Sequence, residues 1–126
     1  MTTRATGLDV RRITRGTVVI VRLEPAQGHE QGKTRPAVVV SSDVHNRNLT
    51  TIIVVPISGL KGKQPFPHEV FICSGEGGLT EDSVAQPVQI RTVDRNKRVA
   101  AVLGQLQSTT MAQIDASLFA VLGGIG

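Results

Sequence analysis

The densest group of chemically capable side chains lies between Gly28 and Pro36, in the run Gly-His-Glu-Gln-Gly-Lys-Thr-Arg-Pro. Arg35 stands directly before Pro36, whose ring biases the preceding residue toward extended backbone and so fixes the guanidinium at the loop's exit. A guanidinium held there can grip a phosphate through paired hydrogen bonds and neutralise charge building on a pentacoordinate phosphorus. A plain ion pair with Glu30 is the competing use. His29 and Glu30 have the right types for acid–base work and are equally ordinary as exposed polar residues. Ser58 follows an apolar run and would project over a sheet edge, where its hydroxyl could donate to a phosphate oxygen or serve as an ordinary strand-end serine. No Gly-x-Ser-x-Gly surrounds it, so a hydrolase elbow is not supported.

The other candidates point away from metals and cofactors. His45 and His68 have no ligand spacing to each other or to Cys73 and read as surface residues. Cys73, the only cysteine, excludes an internal disulfide and a cysteine-built zinc site, and its place in an alternating run reads as a small buried hydrophobe. Gly75-Glu76-Gly77-Gly78 lacks a following Lys-Ser/Thr and reads as a turn, not a phosphate loop. No metal site and no cofactor is expected.

Short strands must position these residues. Thr17–Leu23, Pro36–Val40, Thr50–Ile57 and Glu69–Cys73 are β-branched or apolar runs bounded by turn residues, with Pro56 expected to close the third. Ser83–Val88, Gln89–Thr92 and Val99–Leu103 are further extended pieces. Ser42–Asn48 reads as a turn-rich loop, and Gly59–His68 as an exposed one. Met111, Ile114, Leu118 and Val121 fall on one helical face, with Thr110 and Gln113 as a capping box and Gly123 as the stop. The expected fold is mainly β, a small barrel closed by a C-terminal α-helix. Residues 1–12 form a flexible basic leader, and 13–126 a single domain.

Composition agrees. A chain of 126 residues with 40% hydrophobic and 19% charged residues buries a core without staples. No apolar run approaches the roughly twenty residues of a membrane span, and the leader lacks the apolar stretch of a secretory signal, which points to the cytoplasm. Residues 1–63 carry ten Lys or Arg against four Asp or Glu, while residues 64–126 carry four against six. A basic first half suits a polyanionic partner, or is simply a solvated basic surface. With no Trp, no Tyr and only Phe66, Phe71 and Phe119, stacking on bases would contribute little.

Several segments together resemble the MazF/PemK family, the toxins of type II toxin–antitoxin modules. They are Arg15-Gly16-Thr17-Val18, Leu23-Glu24-Pro25, Gly28-His29-Glu30-Gln31, Thr34-Arg35-Pro36-Ala37, Asn46-Arg47, Val55-Pro56-Ile57-Ser58, Gly78-Leu79, Asp82-Ser83-Val84 and Gln89-Ile90-Arg91-Thr92-Val93-Asp94. The resemblance implies an SH3-like β-barrel assembled as a homodimer. It implies metal-independent cleavage of single-stranded RNA, with the 2′-hydroxyl attacking the adjacent phosphorus to leave a 2′,3′-cyclic phosphate and a 5′-hydroxyl. It implies a cognate antitoxin whose acidic tail covers the basic face. Position by position, the family's catalytic arginine falls on Arg35 and its catalytic threonine on Ser58, which would hold a non-bridging phosphate oxygen. Glu30 and Gln31 would lie beside the scissile phosphate, His29 occupies a variable position, and Arg15 and Gln89 map to RNA-contacting positions.

Two departures stand out. Ser58 keeps the hydroxyl of the usual threonine but loses the β-methyl that restricts its rotamer. Gln86-Pro87-Val88 stands where some relatives carry an Arg-x-Asp pair, so a mechanism relying on that pair is not expected. Two other readings remain: a barrel that binds RNA without cutting it, and a gyrase poison resembling the CcdB type. The latter depends on a terminal Trp-Gly-Ile, whereas this chain ends Gly123-Gly124-Ile125-Gly126. The loop from Gly59 to His68, with Lys61, Lys63 and Phe66, is the candidate for substrate choice.

Overall fold

The computed structural model describes residues 13–23 and 33–124, so the expected leader over residues 1–12 lies outside the described residues. The elements run β1 (Thr17–Arg22), β2 (Thr34–Val39), α1 (Asp43–Asn48), β3 (Thr51–Gly59), β4 (Val70–Ile72), β5 (Ser83–Ala85), β6 (Arg91–Asp94), α2 (Arg95–Arg98), β7 (Val99–Gln105) and α3 (Ser108–Val121). All strand pairs are antiparallel, in the order β4-β5-β3-β2-β1-β7, with β6 also paired to β3. The fold is mainly β with a C-terminal helix, as the sequence suggested. The curled sheet stays open, since β7 pairs with neither β4 nor β6 among the described residues.

Strands β1 to β3 are apolar on both faces because each face packs on a layer of its own. Val18, Val38, Val55 and Ile57 pack with Ile72, Ala85, Leu106, Met111 and Ile114, the layer beneath α3. Val19, Val21, Ala37, Val39, Ile52 and Val54 face Val93 and Val99 inside the curl. Both layers are aliphatic; no phenylalanine enters either.

Three sequence expectations change. Pro56 does not close β3, which runs on to Gly59. Residues Thr51–Val54 pair with β6 and Ile57–Gly59 with β5, so Pro56 sits where β3 changes neighbour. Its carbonyl accepts from Gln86 N at 2.9 Å on that side, and its missing N–H falls in the same gap. Ser42–Asn48 is not a loop: Ser42 caps α1 by accepting from His45 N at 3.2 Å, and Asn46 is buried against Ser41. A helix of six residues is too short to show periodicity in sequence. Gln107, not Thr110, is the N-cap of α3, and its own N–H goes to Glu76 Oε2 at 3.0 Å. Thr110 therefore lies inside the first turn, buried, and the capping box does not form.

Other boundaries shift less. The extended piece expected over Ser83–Val88 ends at Ala85, and a 3-10 turn at Pro87–Gln89 leads into β6. Cys73 is exposed, because alternation through Val70, Phe71 and Ile72 turns it outward just past β4. The glycine segment is a turn as expected. Gly77, at φ +65°, is wedged so that a Cβ would come within 2.8 Å of both Leu106 and Val18. No helix among the described residues is long and apolar enough to cross a membrane.

Helix α3 carries its own contrast, with Ile114 fully buried and Leu122, just past its end, 70% exposed. Urea unfolding is expected to show a loss of about 2–5 kcal/mol for Ile114→Ala. For Leu122→Ala the loss should stay within about 0.5 kcal/mol. Equal losses at the two positions would mean that α3 is not anchored through this face.

Candidate functional site

Arg35 occupies the second residue of β2, half-buried, paired in register with Val21 of β1. The β2–β3 ladder runs Ala37↔Pro56, Val38↔Val55, Val39↔Val54. The ladder ends there: Arg35 lies two residues before Ala37 on β2 and Ser58 two residues past Pro56 on β3, so by the period of two each falls on the same face as the paired residue it flanks. A lone apolar strand cannot show this relation; it needs the register between two strands.

Beside Arg35 opens a depression of about 160 Å³ lined by Leu23, Lys33, Arg35, Gln89 and Arg91. Among the described residues the lining carries three cationic side chains and no acidic one. Gln89 reaches it from the 3-10 turn at Pro87–Gln89, whose closing bond runs from Gln89 N to Gln86 O at 2.9 Å. Arg91 follows on β6, opposite Val54. Three cations around a partly enclosed hollow raise the local potential and suit a phosphate, with Gln89 free to hydrogen-bond a polar group alongside.

Ser58 is not a bare strand-end residue. Its Oγ donates to Gln86 Oε1 at 3.0 Å, Gln86 Nε2 donates to Glu69 Oε2 at 3.2 Å, and Glu69 Oε1 accepts from Phe66 N at 2.8 Å. The hydroxyl is thus linked through two side chains to the loop that precedes β4.

The structure brings Arg35 and Gln89 to one hollow, and Ser58 is tied to Gln86, three residues before Gln89. Arg15 lies elsewhere, at the opposite end of β2: its guanidinium donates to Val40 O and is ion-paired with Asp115 of α3, and its N–H goes to Asp43 Oδ1 at 2.7 Å. His29, Glu30 and Gln31 lie outside the described residues. His45 is half-buried, with its Nε2 3.0 Å from Thr51 O, and so is a packing residue more than the surface residue its loop position suggested. His68 is exposed. Among the described residues no group of three His, Cys, Asp or Glu side chains is placed to hold a metal.

Residue-by-residue reading missed Lys33, Arg91, Gln86 and Glu69. Lys33 and Arg91 lay in plain view as basic residues two positions from Arg35 and Gln89, a spacing that in a strand puts side chains on one face. Gln86 and Glu69 gave no such signal, because they meet Ser58 only through the β3–β5–β4 pairing.

The family described as the PemK-like, MazF-like toxin of type II toxin–antitoxin systems matches residues 14–122. The chain is similar in structure to the MazF of Deinococcus radiodurans, at 26% identity and a TM-score of 0.68, covering 87% of this chain and 96% of that one. It is similar to an endoribonuclease from a mycobacterial species, at 21% identity and a TM-score of 0.70 over 90% and 93% of the two chains. A mycobacterial endoribonuclease in complex with its cognate antitoxin is likewise similar, at 22% identity and a TM-score of 0.67 over 90% and 95%.

Proposed function

The chain belongs to the PemK-like, MazF-like toxin family of type II toxin–antitoxin systems, and from that premise we infer that it is an endoribonuclease that cuts single-stranded RNA at a site built on Arg35 and Ser58. The observation that supports this most directly is the cationic hollow lined by Lys33, Arg35, Gln89 and Arg91, with Ser58 of the neighbouring strand β3 hydrogen-bonded to Gln86 at the start of the turn that carries Gln89. Arg35 is a potential bidentate donor, Ser58 a hydroxyl, and the others supply positive charge and a neutral hydrogen-bonding group.

The chemistry is a transesterification. The 2′-hydroxyl of the RNA attacks the adjacent phosphorus, the bond to the 5′-oxygen breaks, and the products end in a 2′,3′-cyclic phosphate and a 5′-hydroxyl. One proton leaves the attacking oxygen and one reaches the departing oxygen; no water is consumed in this step. Arg35 neutralises the charge that develops on the non-bridging oxygens and Ser58 hydrogen-bonds one of them. No metal takes part in the proposed route. Glu30, Gln31 and His29 are assigned to the surroundings of the scissile phosphate by family position. Gln89 and Arg15 are assigned to RNA contact. At Arg15 an RNA phosphate competes with Asp115, since that guanidinium is still 32% exposed.

A cognate antitoxin is the proposed protein partner, with an acidic segment that covers the cationic hollow and excludes RNA. A similar mycobacterial endoribonuclease has been seen bound to its antitoxin. The active form is proposed to be a homodimer working in the cytoplasm. The loop before β4, with Lys61, Lys63 and the 72% exposed Phe66, is the proposed determinant of which RNA sequence is cut.

Purified protein incubated with a long single-stranded RNA in EDTA is expected to give discrete cuts ending in cyclic phosphate. Arg35→Ala should lower the rate about a hundredfold or more. Intact RNA with folded protein would overturn the nuclease reading in favour of a barrel that only binds. Separately, Arg91→Ala is expected to weaken RNA binding for all sequences alike and to reduce the slope of log affinity against log salt by about 0.7. An unchanged slope would remove Arg91 from the phosphate path.

A further inference from the structure

We propose that Gln86, oriented by Glu69, is a positioning residue for the Ser58 hydroxyl, supplying through hydrogen bonds the restraint that a threonine's β-methyl would supply sterically. The functional half of this proposal rests on the nuclease reading above; the structural half rests on geometry alone.

A serine side chain has three staggered positions open to its Oγ, whereas a second heavy atom on Cβ narrows the choice. Ser58 lacks that atom, yet its Oγ is placed by the 3.0 Å bond to Gln86 Oε1. The direction of that bond is set by chemistry. A carboxylate can only accept, so the Gln86 end that meets Glu69 Oε2 at 3.2 Å must be the NH2. That leaves the amide oxygen toward Ser58, and Ser58 must donate. Turning the amide over would set oxygen against oxygen at Glu69.

Each member of the relay is itself held. Glu69 is fixed by the Phe66 N–H at 2.8 Å. Gln86 is fixed through its backbone, which donates to Pro56 O and accepts from Gln89 N, both at 2.9 Å. Ser58, Glu69 and Gln86 are all half-buried, which limits competition from water. Gln86 thus sets where Oγ stands before RNA arrives; donation to a phosphate oxygen then exchanges that hydrogen bond for another from an Oγ already in place. Gln86 also opens the 3-10 turn that carries Gln89 into the cationic hollow, so one turn serves both halves of the site.

The test reads the Ser58 rotamer by its Hα–Hβ NMR couplings and RNA cleavage by steady-state kinetics, in the same set of variants. The parent should show one Ser58 rotamer. Gln86→Ala should show averaged couplings and a kcat lower by about three- to tenfold, the range of one hydrogen bond, with KM within about twofold. Adding Ser58→Thr to Gln86→Ala should restore both the single rotamer and most of the lost kcat. Gln86→Met, which keeps the chain length without the hydrogen bond, carries the same expectation and replaces the alanine variant if that one unfolds. Glu69→Gln, which frees the amide to turn over, should give a smaller loss of the same kind. A single Ser58 rotamer retained without Gln86, or a lost kcat that Ser58→Thr does not mend, overturns the proposal. A parent that leaves RNA intact, but loses its single rotamer in Gln86→Ala, supports the positioning role and overturns only the nuclease reading.

Discussion

Strand β3 shares nine residues among three neighbours, and the change of neighbour at Pro56 shapes the rest of the molecule. Along one edge β3 pairs with β2 through Val54, Val55 and Pro56. Along the other it gives its first half to β6 and its last residues to β5. A continuous ladder there would need an N–H at every step facing that edge, and proline has none. The gap it leaves is spanned by the 3-10 turn between β5 and β6, and that turn delivers Gln86 to Ser58 and Gln89 to the hollow beside Arg35. The site lies where the sheet divides, because only there can side chains from β2, β3 and the turn converge.

How much of this could be read from the chain alone depends on the range of the contact involved. β1 and the buried face of α3 were legible because β-branched runs and three- and four-residue spacing are local signals. Pro56 misled, since a proline's fate in a strand depends on which neighbour faces its missing donor. Thr110 misled because its hydroxyl could equally cap a helix or sit within its first turn, and the nearby Gln107–Glu76 bond decided for the latter. At the site, the types of Arg35 and Ser58 were visible and their family positions told them apart. That their strands are neighbours, with Ala37 set against Pro56, is a property of register, which no single strand contains. The Glu69–Gln86–Ser58 relay was invisible for a stronger reason: it joins residues of unexceptional type from separate stretches of chain.

The electrostatics of the described surface are divided in a similar way. Arg15 is committed to Asp115 and to the Val40 carbonyl, where it fastens the start of the domain to α3. Lys33, Arg35 and Arg91 instead gather around a hollow with no acidic lining among the described residues. The core contains no aromatic ring, and Phe66, Phe71 and Phe119 are all exposed. Aliphatic packing alone therefore holds both layers together, and the few rings the chain possesses are left for contacts outside it.

The partner of β1 has a consequence for the order in which the molecule can be made. β1 is flanked by β2, nearby in sequence, and by β7, and Thr17 hydrogen-bonds to Gln105 across a separation of 88 residues. Arg35 and Ser58 emerge from the ribosome long before the strand that completes the sheet on β1 or the helix that covers its apolar layer. Long-range pairings of this kind form late, because the chain must surrender loop entropy before they return anything. A nascent chain thus carries β2 and β3 while lacking the strand and helix that complete the layers around them. On the proposed nuclease reading, a chain whose β7 and α3 have yet to join the sheet would lack the framework that the activity needs.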